Sequence, residues 1–119
     1  MKLEINDKFT ISYFAKKHNI PVTSTVMGIG CMDKDDPYYI SAIGCLGDGS
    51  SNNLSKDTDL ALAIGTKLSD FTTGSWTNFQ NDNFKLASIN TSRFDSNKHR
   101  ASPMISDAKI GLHEVSKII

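Results

Sequence analysis

A glycine turn near the middle of the chain carries residue types that could bind a metal ion. It reads GDGSSNN over residues 47–53, which puts the Asp48 carboxylate close to the Asn52 amide. Carboxylate and amide oxygens are ligands that suit Mg²⁺. The alternative to a metal site is a structural role, in which this tight turn packs a helix against a sheet.

The same turn could bind a phosphate group. Gly47 and Gly49 precede Ser50, where we predict that a helix begins. Free backbone N–H groups at such a position attract anions. Gly65 and Thr66 end an apolar run and would lie at the same rim, so these five residues form a candidate nucleotide site.

Residues 70–76 (DFTTGSW) combine a carboxylate, hydroxyls and a large aromatic ring directly after an apolar run. Asp70, with the hydroxyls of Thr72 and Thr73, could hydrogen-bond a polyhydroxylated ligand, and Trp76 could form a flat wall beside it. We favour the alternative that this loop docks on a neighbouring domain, with Trp76 as the interface anchor.

The remaining polar clusters give little reason to expect catalysis. Lys98, His99 and Arg100 form a basic cluster, which we interpret as a solvated turn or an inter-domain ion pair. His18 and His113 fall on predicted surface faces of helices. No serine, histidine and acid lie in a hydrolase motif. We therefore predict no catalytic residue and no metal ligand in the chain.

The elements that must position these groups alternate between strands and helices. Residues 60–64 (LALAI) are apolar throughout and stop at a glycine, which is typical of a parallel strand covered on both faces. We expect it to be an inner strand of its sheet. Such alternation predicts an α/β, doubly wound, mainly parallel sheet with helices on both faces. The predicted elements are a helix at 7–18 capped by Asp7, strands at 20–25, 60–64, 85–90 and 104–105, an irregular stretch at 28–41, a short helix capped by Ser50 or Ser51, and a last helix starting at 106 or 107.

Composition excludes several classes of partner. The chain has 119 residues, with 13 basic and 13 acidic side chains, so nothing favours nucleic acid or an anionic membrane. No apolar run approaches the roughly 20 residues of a membrane span. Cys31 and Cys45 are too few for a disulfide framework, and we expect reduced thiols in a cytoplasmic protein.

Four stretches of the chain together resemble the central domain of thiamine-diphosphate-dependent enzymes. A glycine turn, an apolar strand ending in Gly-x-x-x-x-Asp and a terminal Asp-Ala helix occur there in the same order. Within that family, residues 69–76, 94–95 and 98–101 narrow the resemblance to the trihydroxycyclohexane-dione hydrolases of myo-inositol catabolism. The four stretches are 42–53 (AIGCLGDGSSNN), 59–76 (DLALAIGTKLSDFTTGSW), 93–101 (RFDSNKHRA) and 103–112 (PMISDAKIGL).

This resemblance implies a single Rossmann-like central domain over residues 1–119 that is inactive alone. Thiamine diphosphate and Mg²⁺ would be held by two other domains of the parent enzyme, which would be a homo-oligomer with a second subunit at each active site. The family's magnesium motif has a strand before the aspartate and a helix before the asparagine, so 47–53 does not match it. Some central domains of the superfamily bind FAD or ADP, which keeps a nucleotide-binding module as the alternative function.

The resemblance also implies that one strand of the sheet is absent from the chain. The family's central domain opens with a strand before the helix that we place at Asp7. Such a strand sits centrally in the sheet, so its absence would expose apolar edges. We therefore expect the isolated chain to be marginally stable or to associate.

Overall fold

The computed structural model describes the backbone of residues 5–119 and the side chains of residues 11–119. Helices and strands alternate along this part of the chain. Two 3₁₀ turns, Val26–Gly28 and Lys98–Arg100, lie between them. The elements are α1 (Ile5–His18), β1 (Val22–Ser24), β2 (Tyr39–Ala42), α2 (Gly49–Asp57), β3 (Leu60–Ile64), α3 (Asp70–Thr73), β4 (Lys85–Asn90), α4 (Arg93–Ser96), β5 (Ser102–Ile105) and α5 (Ala108–Ser116).

The strands form two small parallel sheets. β1 pairs with β2, while β3, β4 and β5 form a second sheet in that order. On one face of the larger sheet, Phe14 of α1, Ile89 of β4 and Leu112 of α5 form the buried core. Helix α4 also contacts this sheet, since Ser96 donates a hydrogen bond to the Ser88 carbonyl of β4, 3.4 Å away. Parallel strands that alternate with helices confirm the α/β doubly wound prediction.

The strand at residues 60–64 is parallel, as predicted, but it is not an inner strand of its sheet. Within the described residues, β3 pairs only with β4, and Leu60 is 62% exposed. An unbroken apolar run reports that both faces of a strand are covered. It carries no information about the neighbours at the strand's two edges, and the expectation of an inner position went beyond that signal.

Two predictions for the first half of the chain need correction. The strand expected at 20–25 is only Val22–Ser24. The stretch at 28–41, expected to be irregular, ends in strand β2 at Tyr39–Ala42. This strand is four residues long and only its last residue is buried, so it lacks an alternating pattern that could reveal it.

The helix ends are partly as predicted. α1 ends at His18, and Asn19 adopts the left-handed conformation expected of a helix stop (φ 53°). The predicted cap at Asp7 is wrong, because the helix is already under way at Ile5. The cap of α2 is Asp48, not Ser50 or Ser51: its carboxylate accepts a hydrogen bond from the Ser50 amide at 2.7 Å. A carboxylate is as good a cap as a hydroxyl, and Asp48 lies two positions before Ser50.

Candidate functional site

A cleft of about 420 Å³ opens where the two sheets end side by side. Thr25 and Ile43 line it from the first sheet, and Gly65 and Thr66 from the second. The carboxyl ends of parallel strands meet at one edge, and ligand crevices of doubly wound folds lie there. The cleft therefore occupies the position at which this fold class places its sites.

The mouth of the cleft carries an apolar rim, formed by Val26, Met27, Leu46 and Phe71. Met27 is 95% exposed, Leu46 73% and Phe71 70%. Single exposed apolar residues are common, but a contiguous group at the edge of a cleft marks a binding surface. The sequence had pointed to Trp76 instead, because tryptophan is the residue type most enriched in interface anchors.

The Asn52 side chain holds the backbone next to the apolar rim in place. The Asn52 side chain accepts a hydrogen bond from the Gly44 amide at 2.9 Å and donates one to the Gly44 carbonyl at 3.0 Å. The buried Asn78 amide donates to the same Asn52 oxygen at 3.2 Å. Cys45 next to Gly44 then donates its backbone N–H to the Phe71 carbonyl at 2.8 Å. These contacts join the end of β2, the start of α2 and the α3 turn.

This arrangement also explains why position 44 is a glycine. Gly44 has φ 107°, a conformation that L-residues rarely adopt, and a Cβ there would lie 2.0 Å from the Phe71 carbonyl oxygen. Gly44 was not among our candidate residues, and Asn52 was considered only as a metal ligand. The sequence shows the run AIG before the glycine turn, but it does not show which side chain bonds the Gly44 backbone.

The predicted phosphate-binding residues are divided between two places. Gly47 and Gly49 flank Asp48 at the start of α2, whereas Gly65 and Thr66 line the cleft. The Ser50 amide, which a phosphate would need, is already bonded to the Asp48 carboxylate, and the negative charge there opposes an anion. The nucleotide site remains a prediction that this geometry does not favour.

The apparent metal motif is used for structure. Asp48 caps α2, and the Ser50 amide holds the pKa of its carboxyl below the ordinary value. Asn52 is committed to Gly44 and Asn78. Across the described residues, no three side chains of the His, Cys, Asp and Glu types are grouped in a way that could hold a metal ion.

The four predicted residues of the 70–76 loop have different environments. Thr72 lines the cleft but is largely buried, and Thr73 is fully buried with its hydroxyl 3.3 Å from the Ser69 carbonyl. Asp70 begins α3 and is exposed. Trp76 is half-buried, and it does not line the cleft.

The rings beside Trp76 belong to the chain itself. The Trp76 ring lies 4.7 Å from that of His99 and 6.2 Å from that of Phe79, measured between centroids. Both contacts use the tilted geometry that aromatic pairs prefer. Much of the Trp76 surface that was expected to contact a partner therefore packs against other residues of the chain.

The basic cluster is only partly solvated. Lys98 forms a 3.0 Å ion pair with Asp95 and lies 4.6 Å above the Phe94 ring. Its hydrogen bond lowers the pKa of Asp95. His99 contacts Trp76, and Arg100 is exposed. Lys98 therefore finds its partner within the chain, and the inter-domain ion pair suggested by the sequence is not needed for it.

His18 and His113 occupy ordinary positions on helices. The His18 Nε2 atom lies 2.9 Å from the Ser116 hydroxyl of α5, and its ring packs 4.8 Å from that of Phe14. His113 is exposed on α5. In the part of the chain that the structure describes, no helix is long and apolar enough to cross a membrane.

The fold and the cleft together define a doubly wound α/β domain of the kind that carries a site at its carboxyl edge. Residues 9–115 match the family model described as "Thiamine pyrophosphate enzyme, central domain". The chain therefore belongs to the central-domain family of thiamine-diphosphate enzymes, as its sequence motifs predicted.

Several similar proteins carry the name 3D-(3,5/4)-trihydroxycyclohexane-1,2-dione hydrolase. One, from Clostridium botulinum (strain Alaska E43 / Type E3), is 38% identical over 92% of this chain. Those from Clostridium tetani (strain Massachusetts / E88) and Bacillus cereus (strain AH820) are each 37% identical, over 90% and 86% of this chain. The matched regions span only 16–17% of the length of these relatives.

Proposed function

We propose that this chain is the central domain of a thiamine-diphosphate-dependent trihydroxycyclohexane-dione hydrolase, an enzyme that opens a ring by C–C cleavage in inositol catabolism. The observation that carries the proposal is the 38% identity over 92% of the chain to an enzyme of that name. Because this match covers 17% of that enzyme, the activity requires polypeptide beyond the matched region.

The described residues do not fit the diphosphate or the magnesium ion of such an enzyme. The Asp48 carboxylate is bonded to the Ser50 amide and Asn52 to Gly44, and no other cluster offers metal ligands in the described range. We therefore assign thiamine diphosphate and Mg²⁺ to two other domains of the parent enzyme. The cofactor would supply the carbon nucleophile there, and this domain would take no step of the reaction itself.

The role left to this domain is docking, and the apolar rim is its docking surface. Phe71 is the exposed aromatic residue of the rim, and its carbonyl is held in place by Cys45. An exposed aromatic side chain on a backbone that is held in place is a typical anchor of a protein interface. We propose that another domain of the enzyme, in a homo-oligomeric assembly, covers the rim.

Two substitutions of equally exposed phenylalanines test this role. The chain is placed in the Clostridium botulinum hydrolase in exchange for the matched segment, and Phe71→Ser or Phe94→Ser is introduced. Phe71 is 70% exposed at the rim, whereas Phe94 is 75% exposed on α4 beside Lys98. Loss of a buried aromatic anchor costs about 2 kcal/mol or more of binding, roughly thirtyfold.

We expect Phe71→Ser to shift the assembly equilibrium by that factor in analytical ultracentrifugation, with the Michaelis constant of the assembled enzyme unchanged. Phe94→Ser should leave assembly as it was. If Phe71→Ser raises the Michaelis constant without affecting assembly, the rim lines the substrate site and the docking role is wrong.

The location of the parent enzyme is proposed on the same resemblance. Cys31 and Cys45 do not form a disulfide with each other. Reduced thiols are usual in the cytoplasm. We propose a cytoplasmic enzyme, with no membrane and no nucleic acid among its partners.

A further inference from the structure

Two exposed carboxylates flank the apolar rim. Asp48 lies two positions after Leu46, and Asp70 directly precedes Phe71. Both acidic residues are exposed. The Cys45 amide donates to the Phe71 carbonyl at 2.8 Å, and the Cys45 thiol lies 3.8 Å from the Asp70 carbonyl oxygen. The two acidic segments therefore meet beside the rim, although they are far apart in the chain.

Helix capping explains the position of Asp48, but it does not require the charge. The Asp48 carboxylate accepts a hydrogen bond from the Ser50 amide at 2.7 Å, which lowers the pKa of the carboxyl, so Asp48 is ionised at neutral pH. Asparagine caps a helix equally well and carries no charge. Within the described residues, neither Asp48 nor Asp70 forms an ion pair. Both carboxylates therefore lack a basic partner in this part of the chain.

The basic side chain at the cleft has an acidic neighbour elsewhere. Among the described residues that line the cleft, only Lys67 is basic. The pKa of Asp95 is lowered by its hydrogen bond from Lys98 and, to a smaller extent, by the charge of Lys67. Lys67 thus lies on the α4 side of the cleft, whereas Asp48 caps α2 and Asp70 begins α3. The α2–α3 side of the rim is therefore acidic.

We propose that the rim is covered by a segment of another domain of the parent enzyme that is apolar at its centre and carries arginine or lysine side chains opposite Asp48 and Asp70. This inference rests on the proposed docking role and adds the chemistry of the partner surface. Protein interfaces combine an apolar centre with a polar periphery, and arginine is enriched in them. One guanidinium can donate two parallel hydrogen bonds to a carboxylate, which fixes the orientation of the two surfaces.

The same charges disfavour two other occupants of the cleft. A phosphate-bearing ligand would meet the negative charges of Asp48 and Asp70 at its mouth. A second copy of the chain, docked rim to rim about a two-fold axis, would present the same acidic residues to the first. Like charges that face each other across an interface cost free energy. A basic partner surface is the occupant that these two side chains stabilise.

The exposed Cys45 thiol can report whether the rim is covered, because Cys45 precedes the rim residue Leu46. Labelling of Cys45 by N-ethylmaleimide is followed by peptide mass spectrometry in two contexts. One is the chain alone, and the other is the Clostridium botulinum hydrolase that carries the chain in place of its matched segment. The rate in the chain alone divided by the rate in the hydrolase chimera is the protection of the rim. Because each variant is measured in both contexts, any direct effect of a substitution on the thiol cancels.

Two neutral substitutions test the charges without removing the cap. Asp48→Asn and Asp70→Asn are combined in one variant, since asparagine keeps the size of the side chain and caps a helix as well as aspartate does. Asp82→Asn is the matched control. It removes one carboxylate charge from an exposed residue shortly before β4, at the opposite edge of the sheet.

We expect a protection of at least about tenfold in the unsubstituted chimera, and about fivefold less in the double variant, because exposed charge pairs contribute modestly to binding. Raising NaCl from about 0.05 M to about 0.5 M should lower the protection of the unsubstituted chimera by a similar factor and should change the double variant little, because salt screens exposed charges. Asp82→Asn should leave the protection unchanged.

Three outcomes would overturn the basic partner while the docking role stands. The first is protection that neither the double substitution nor salt changes, although Phe71→Ser removes it. The second is protection that rises in the double variant, which would make the covering surface acidic. The third is an equal loss in Asp82→Asn, which would show that the total charge matters rather than the two carboxylates at the rim.

Equal labelling rates of Cys45 in the two contexts would show that nothing covers the rim, and the docking role would fail together with this inference. If the chimera does not fold, Cys45 labelling is measured on the chain alone in the presence of two synthetic peptides. The peptides share one apolar centre and are flanked by arginine or by glutamate. Equal protection by the two peptides would also refute the proposal.

Discussion

Individual residues of the glycine turn hold the backbone in place. Asp48 and Asn52 have the chemistry of metal ligands, but one caps a helix and the other clamps Gly44. The sequence supplied the residue types, and their spacing led to the prediction that no metal binds at this turn. It could not supply the partners, since Asn78 lies 26 positions from Asn52 in the chain.

The contacts that hold the Gly44 backbone against Asn52 and Phe71, here called the clamp, give a prediction for Gly44 and Gly49. Gly44→Ala should lower the free energy of unfolding by about 3 kcal/mol or more, because the φ of 107° is strained for alanine and the new Cβ meets the Phe71 carbonyl. Gly49→Ala is the matched control: it lies in α2, and a Cβ there meets nothing within 4 Å. Alanine at this helical position should be neutral or stabilise by up to about 1 kcal/mol. Urea unfolding measures both, and equal midpoints for the two variants would contradict the clamp.

The carboxylate of Asp36 predicts a dependence of stability on pH. Hydrogen bonds from the Ser12 hydroxyl and the Tyr38 amide, with the nearby Lys16 charge, hold its pKa below the ordinary value of 3.8. A lowered pKa in the folded state adds stability that is complete above 3.8 and is lost as pH falls through the folded pKa. Ser12→Ala should cost about 1 kcal/mol at neutral pH and flatten this acid-side loss.

Unfolding free energies from pH 7 down to pH 2 would test this prediction. Ser102→Ala removes an exposed hydroxyl on β5 and serves as the control. An unchanged acid-side slope in Ser12→Ala would show that this hydroxyl does not tune Asp36.

At the scale of elements, the sequence predicted a strand correctly where the strand is long enough and contains several apolar residues. β3 and β4 were predicted with their observed bounds: β3 is an apolar run of five residues, and β4 carries the buried Leu86 and Ile89. β2 was not predicted, because it has only four residues and its main contact is its pairing with β1. The position of β3 at the edge of its sheet could not be predicted either, because no local sequence pattern shows which strands lie beside it.

Helix α5 allows a test of the element that closes the core. The Asp107 carboxylate accepts hydrogen bonds from the Lys109 and Ile110 amides at 3.0 and 3.2 Å, and α5 carries the buried Leu112. Asp107→Ala should lower stability by about 1 kcal/mol, whereas Asp107→Ser should retain most of it, because serine caps a helix nearly as well. Thermal unfolding followed by circular dichroism measures the difference. Equal losses in the two variants would mean that capping is not what Asp107 contributes.

At the scale of the whole molecule, the family motifs predicted more than periodicity could. Periodicity led to a parallel α/β sheet with a site at its carboxyl edge, and four motif stretches led to the central domain of a thiamine-diphosphate enzyme. The motifs did not point to Phe71, the residue that we propose for docking. Phe71 stands in the middle of the segment DFTTGSW, and only the fold turns this ring outwards while Trp76 packs against His99.

We propose that this chain works as one domain of a ring-opening hydrolase. The most direct measurement is thiamine-diphosphate-dependent turnover of the cyclic dione by the Clostridium botulinum relative with its matched segment replaced by this chain. We predict turnover within about tenfold of the parent enzyme, a loss of at most about 1.4 kcal/mol of transition-state stabilisation, and no turnover by the isolated chain. A chimera that assembles like the parent and binds its cofactor, yet does not open the ring, would contradict the account.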